Sequence, residues 1–252
     1  MQDIFNEDVG KGTPLVLVHG FLGSSEMWRP QIKFFKDSFR VIAPAIPGFG
    51  KSNTIDSCDS IECMAKAILN LLEKKEIKNF NLLGHSMGGM IVQEMTKLAG
   101  NKILKLICYG TGPRGNIPGR FETIDQSREK LKTNGLEVTA NRIAKTWFVD
   151  EERAKYFYLC NQAGKQASME ATDNGLIAMK NWDGVENLKN IKNETLIVWG
   201  DQDKAYNFDQ IETLSSNIPN SNLKIINGCS HNVHLEKPDE FNIIVEEFLK
   251  RN

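Results

Sequence analysis

Residues 80–95, FNLLGHSMGGMIVQEM, constrain the fold more than any other stretch of this chain. A short apolar run ends in Gly84-His85-Ser86-Met87-Gly88, and a helical pattern begins at once. This is strand, G-x-S-x-G, helix, the context that a nucleophile elbow requires. A serine at such a bend occupies a strained backbone conformation and raises its hydroxyl above the end of a sheet. Glycines two residues to either side remove the Cβ atoms that would collide across so tight a turn. Phe80, Leu82 and Leu83 suit a buried parallel strand. Met87, Met90, Ile91, Met95 and Leu98 fall at helical spacing on one face. The N-terminus of that helix would aim its dipole and free N–H groups at the serine.

Strand-like and helix-like patterns alternate through most of the chain. Leu15 to Val18, Phe39 to Ala43, Phe80 to Gly84, Ile103 to Tyr109, Thr195 to Gly200 and Leu223 to Gly228 read as strands. Residues 61–75 and 238–250 read as amphipathic helices, the second opening at Pro238. This alternation predicts an α/β protein with a mostly parallel twisted sheet and helices on both faces. The rhythm breaks between Pro113 and Asn193, where helical patterns such as TIDQSREKLKTNG, EVTANRIAKTWF and EERAKYFYLCNQAGKQ replace strands. Eighty residues far exceed an ordinary crossover, so 113–193 is expected to be a helical insertion into a core of 1–112 and 194–252.

A serine hydroxyl needs a base within hydrogen-bond reach, and the base needs a group that fixes its tautomer. Candidates follow in the order Ser, Asp, His. The strand TLIVWG leads into Asp201-Gln202-Asp203, which offers two acids. LKIINGCS leads into His231, with His234 as a rival. HGFLGSS at 19–25 follows the strand LVLV, and its Gly20 and Gly23 allow backbone to approach a ligand. One oxyanion N–H would come from Met87 and the other from this loop.

The 252 residues carry 31 basic and 32 acidic side chains with no basic stripe, which argues against nucleic acid as a partner. The five cysteines, at 58, 63, 108, 160 and 229, form no C-x-x-C pair. They are expected to be reduced thiols of a cytoplasmic protein rather than a disulfide framework. The histidines at 19, 85, 231 and 234 make no metal-ligand pattern with them. MQDIFNEDVGKGTP lacks the basic and apolar regions of a signal peptide, and no apolar run approaches a membrane span.

Taken together, these segments resemble the α/β-hydrolase fold superfamily, in its esterase and lipase type, over nearly the whole chain. HGFLGSSEMW (19–28), PGFGKS (47–52), GHSMGG (84–89), WGDQD (199–203) and SHNVHLEKPDEF (230–241) carry the likeness. The resemblance implies Ser86 as nucleophile, Asp203 as acid through a G-x-x-D pattern, and His231 as base through an H-x-x-x-x-E-x-P tail ending at Glu236 and Pro238. It implies Phe21 and Met87 as oxyanion donors and a cap over 113–193. Leu22, Trp147 and Phe148 are candidate substrate-lining residues. Arg114 and Arg120 could meet a substrate carboxylate, although a solvated role suits them better.

The aspartate that relatives often place at position 45 is absent, and Ser230 replaces a frequent glycine. A serine nucleophile speaks against the dehalogenase and epoxide-hydrolase branches, and Met90 against menaquinone-pathway synthases. His85 and Asn232 depart from the pattern of carbon–carbon bond hydrolases. The expected activity is hydrolysis of small carboxylic esters or lactones through an acyl-enzyme, with no metal or organic cofactor. Enol-lactone hydrolysis, carbon–carbon bond hydrolysis and cofactor-free perhydrolysis use the same residues, and a ligand-sensing member of the fold would keep them too.

Overall fold

A computed structural model describes residues 3–117 and 122–251. In chain order the elements are β1 (Asn6–Val9), β2 (Pro14–Val18), α1 (Arg29–Phe35), β3 (Arg40–Pro44), α2 (Ile61–Lys74), β4 (Phe80–His85), α3 (Met87–Ala99) and β5 (Ile103–Tyr109). There follow α4 (Ile124–Lys145), α5 (Phe157–Gln166), α6 (Met169–Asn181), β6 (Glu194–Gly200), α7 (Phe208–Asn217), β7 (Ser221–Ile226), α8 (Val233–Glu236) and α9 (Pro238–Lys250).

The strands form one sheet in the order β1-β3-β2-β4-β5-β6-β7. All neighbours run parallel except β1, which pairs antiparallel with β3 in the register Asn6↔Pro44 to Val9↔Val41. The alternation of side chains along each strand divides the apolar interior into two slabs. Val16, Val18, Leu82, Leu106 and Ile197 face α2, α3 and the helices of the insertion. Leu15, Leu17, Leu83, Ile107 and Val198 face Phe35 of α1 and Phe241, Val245 and Phe248 of α9.

Between β5 and β6, α4, α5 and α6 occupy the stretch read as an insertion. Among the described residues its strand-like content is a single bridge, Arg114 to Asp183. Thr123 and Gln126 form a reciprocal capping box at the start of α4. Gly135, at φ 78° and ψ 173°, breaks α4 in two. Two sets of contacts fasten these helices to the sheet domain. The Ser168 N–H donates to Gly48 O at 2.9 Å, with Asn174 Nδ2 bonded to Ser57 Oγ at 2.8 Å nearby. The second set involves the His231 loop.

One expectation is corrected. Cys58 and Cys63 form a disulfide with Cα atoms 5.7 Å apart, while Cys108, Cys160 and Cys229 are buried thiols. The cause is local. Ser60 caps α2 by accepting the Cys63 N–H, and the turn this creates folds Cys58 back onto the first turn of the helix. A spacing of five residues across a cap has no recognised motif. The bridge also removes the cysteine argument for a cytoplasmic location, which rested on five thiols. Among the described residues, no helix is long and apolar enough to cross a membrane.

Candidate active site

Every candidate segment sits at the carboxyl end of a parallel strand, the edge where open α/β sheets place their ligands. β2 delivers residues 19–23, β4 delivers Ser86, β6 delivers Asp203 and β7 delivers His231.

Ser86 lies between β4 and α3 with φ 56° and ψ −120°, a strained backbone for a residue with a Cβ. The strain is imposed from all sides. The Ser86 N–H donates to Tyr109 O at 2.9 Å, continuing the β4–β5 ladder. Its carbonyl accepts the Thr111 hydroxyl at 2.8 Å. A Cβ on Gly84 would stand 2.2 Å from Gly88 O, and one on Gly88 would stand 2.4 Å from Val18 O. Both glycines of the motif are therefore sterically required. Gly20 brings the β2 loop against the serine, where an added Cβ would lie 3.0 Å from Ser86 Cβ.

His231 Nδ1 donates to Asp203 Oδ2 at 2.9 Å, with both side chains fully shielded from solvent. The other carboxylate oxygen, Oδ1, accepts the Ala205 and Tyr206 N–H groups at 2.7 and 3.2 Å. Asp203 is thus an acceptor in a fixed orientation. With that oxygen accepting, Nδ1 carries a hydrogen, and in the neutral ring Nε2 keeps its lone pair. Asp201 does other work. Its exposed carboxylate accepts the Gly228 N–H at 2.6 Å and ties the β6 loop to the β7 turn.

The ring of His231 lies against Tyr206, stacked at 5.8 Å and 18°, and against Trp147 at 6.1 Å. Trp147 is therefore beside the candidate base. Phe148 is buried and packs edge-on against Phe157, and Leu22 is fully buried at φ 53°. Arg114 is half-exposed and pairs with Asp183 at 3.8 Å. Arg120 lies outside the described residues.

Among the described residues the Phe21 N–H has no acceptor. The Met87 N–H opens α3, where the first amides lack intrahelical partners. The loop that carries Phe21 is held by His19. Its Nε2 accepts the Ile46 N–H at 3.0 Å, which fixes the tautomer, so Nδ1–H donates to Gly20 O at 2.8 Å. Burial lowers the His19 pKa to about 4, which keeps the ring neutral.

Three residues that sequence patterns did not assign lie behind His231. The Tyr109 hydroxyl donates to His231 O at 2.9 Å and accepts the His234 N–H at 3.1 Å. His85 Nε2–H donates to the same carbonyl at 3.1 Å. Burial, with the neighbouring His231 and His234, holds His85 well below the usual histidine range. Burial and then His231 lower His234 to about 3. Burial likewise pushes the Tyr109 phenol well above its ordinary value. These groups stay neutral and fix the main chain at His231. Among the described residues no set of three or more His, Cys, Asp or Glu side chains is arranged to hold a metal ion.

Comparisons with known proteins agree with this fold. A family profile described as alpha/beta hydrolase fold matches residues 13–238. A pimeloyl-[acyl-carrier protein] methyl ester esterase of Legionella pneumophila (strain Corby) is 27% identical, over 98% of this chain and 100% of its own length. A 2-hydroxy-6-oxononadienedioate/2-hydroxy-6-oxononatrienedioate hydrolase of Pseudomonas putida is 30% identical, over 98% and 92%. The structure of a thermophilic esterase from Thermogutta terrifontis superposes with a TM-score of 0.89 at 25% identity, covering 98% of this chain and 93% of that one. The chain belongs to the α/β-hydrolase fold family and is an esterase-like hydrolase.

Proposed function

We propose that the protein hydrolyses small carboxylic esters or lactones through an acyl-enzyme on Ser86. The observation that carries this reading is the buried His231–Asp203 hydrogen bond of 2.9 Å, which leaves Nε2 as a free base at the sheet edge that presents Ser86. In the proposed cycle, Nε2 takes the Ser86 proton as Oγ attacks the substrate carbonyl. The oxyanion that develops is held by the Phe21 and Met87 N–H groups, each worth on the order of 3 kcal/mol in the transition state. The imidazolium, stabilised by Asp203, returns its proton to the departing alkoxide and releases an alcohol. Water, deprotonated by the same nitrogen, then attacks the acyl-enzyme and frees the acid and Ser86.

Within this reading, 113–193 is a cap over a core formed by 1–112 and 194–252. Trp147, next to His231, is the strongest substrate-lining candidate in the cap. Leu22 and Phe148 would act one layer further back, through packing. The esterase relatives support an ester as the substrate class.

Carbon–carbon bond hydrolysis is the second reading, supported by the Pseudomonas putida relative at 30% identity. It uses the same serine, so one experiment separates mechanism from substrate. Wild type is treated with a small alkyl fluorophosphonate, and the labelled peptide is mapped. A separate, untreated sample is assayed on p-nitrophenyl butyrate, a lactone series and a 2-hydroxy-6-oxo-dienoate. Labelling at Ser86 with preferred ester turnover is expected. Ser86→Ala should lose at least about 10⁴-fold in kcat while melting within a few degrees of wild type. Undiminished turnover by that variant would refute the mechanism.

A further inference from the structure

Glu236 receives hydrogen bonds from two segments that are far apart in the chain. Its Oε2 accepts the Ser230 N–H at 2.7 Å, and its Oε1 accepts the Val149 N–H at 2.7 Å. Ser230 precedes the candidate base, while Val149 belongs to the helical insertion, just beyond Trp147 and Phe148. Hydrogen bonds to an ionised acceptor at this distance are among the stronger ones a protein makes. Glu236 closes the four-residue α8 two residues before Pro238 opens α9, whose N-terminal dipole favours a negative charge there. Burial raises its pKa, and the charge of Asp150 adds to the effect. The two N–H contacts offset these costs.

The same two segments are hydrogen-bonded at three further points, all through the residues that flank His231. Ser230 Oγ donates to Thr146 O at 3.3 Å, and the Asn232 N–H donates to Trp147 O at 3.0 Å. Asn232 Nδ2 also donates to Cys160 Sγ at 3.2 Å. The residues before and after His231 are thus both fastened to 146–147. The imidazole itself is aimed by Asp203 from the sheet domain. The orientation of His231 therefore depends on two bodies at once.

We propose that Glu236 is a positioning residue that couples the insertion to the base: its carboxylate clasps the His231 loop to 146–149, so that this segment, together with Tyr109, His85 and Asp203 of the sheet domain, aligns His231. This rests on the serine-hydrolase reading above.

Glu236→Gln tests it. The amide offers one acceptor oxygen and one NH₂ to two N–H donors, so one of the two segments then faces a donor. Three quantities are measured at 15 °C, normalised to the folded fraction from circular dichroism. They are kcat and KM on p-nitrophenyl butyrate, and the second-order rate of labelling by a small alkyl fluorophosphonate, which needs little of the substrate pocket. The expected result is a loss of at least tenfold in both kcat and labelling rate, with KM changed less than threefold. Glu236→Asp, one methylene short of reaching both donors but still charged, should show a smaller loss in the same two quantities. If Glu236→Gln does not fold, the aspartate variant is judged alone by the same criterion. Values of kcat and labelling rate within twofold of wild type would overturn the proposal, whatever the change in melting temperature. A rise confined to KM would overturn it as well, because Glu236 would then only shape the pocket. Failure of wild type to label at Ser86 would instead count against the serine-hydrolase reading.

Discussion

Two aspartates two residues apart illustrate how position decides chemistry. Asp203 is buried, fully hydrogen-bonded and in contact with His231, whereas Asp201 is exposed and closes a loop. Asp203→Asn would present an NH₂ or a neutral oxygen to Nδ1 and destabilise the productive tautomer. A loss in kcat on the order of 10³–10⁴ is expected. Asp201→Asn should stay within about threefold of wild type, since it perturbs one exposed turn contact worth about 1 kcal/mol. Side-by-side ester kinetics of the two variants check this. Spacing from the strand TLIVWG leaves both acids open, and only the family pattern favours Asp203. The structural reason is that Asp201 still faces the Gly228 turn, while Asp203 follows a bend closed by its own N–H on Gly200 O. Ser86 stands out as a candidate because it follows a strand inside G-x-S-x-G, whereas position after a strand leaves His231 and His234 both open, and only the family tail favours His231. The roles of Tyr109, His85 and His234 were not legible, because they brace a carbonyl, and no sequence pattern encodes a side chain bonded to a distant main chain.

At the scale of elements, the junction of β4, α3 and β2 is the tightest in the fold. Gly88 lets the first turn of α3 press on the end of β2, where a Cβ would lie 2.4 and 2.5 Å from the Val18 and His19 carbonyl oxygens. Backbone cannot yield as a side-chain tip can. Gly88→Ala should therefore cost about 3 kcal/mol or prevent folding, seen as a lower urea midpoint. The strand Ile103–Tyr109 and the helix Pro238–Lys250 were read with their full bounds, because both carry a strong apolar period. The two helical patterns read on either side of residue 135 correspond to the break at Gly135 in α4. β1 escaped notice: NEDV is polar, lies at an edge, and is a strand only because Arg40–Pro44 pairs with it. α1 was missed as well, since RPQIKFF is barely two turns long and is held by Phe35 against the sheet rather than by its own periodicity. The Cys58–Cys63 bridge belongs to the same class, being a product of a helix cap.

For the whole molecule, the buried neutral histidines make stability sensitive to acid. His19 and His234 are lowered to about 4 and about 3, and His85 lies well below its ordinary value. In the unfolded chain each titrates near 6.5. Their folded pKa values are depressed, so unfolding takes up protons once the pH falls below about 6.5. Stability is fully present above that point and declines as the pH drops, until the folded rings themselves protonate. Near pH 5 His19 and His234 together give a slope of about 3 kcal/mol per pH unit, and His85 acts in the same direction. Urea titrations at pH 7 and pH 5 should show a large fall in midpoint. His85→Gln, His19→Gln or His234→Gln, where folded, should each reduce the slope. A slope unchanged by all three would contradict the assignment.

The gathering of 19–23, 86, 203 and 231 along one rim of the sheet also leaves the opposite rim outside the proposed site. The turn at 10–13 between β1 and β2 is exposed and lies at that far rim. Reporter peptides or surface anchors spliced there would stand a full strand length from the reacting hydroxyl, which makes this turn the natural handle for immobilising the protein with its working side outward.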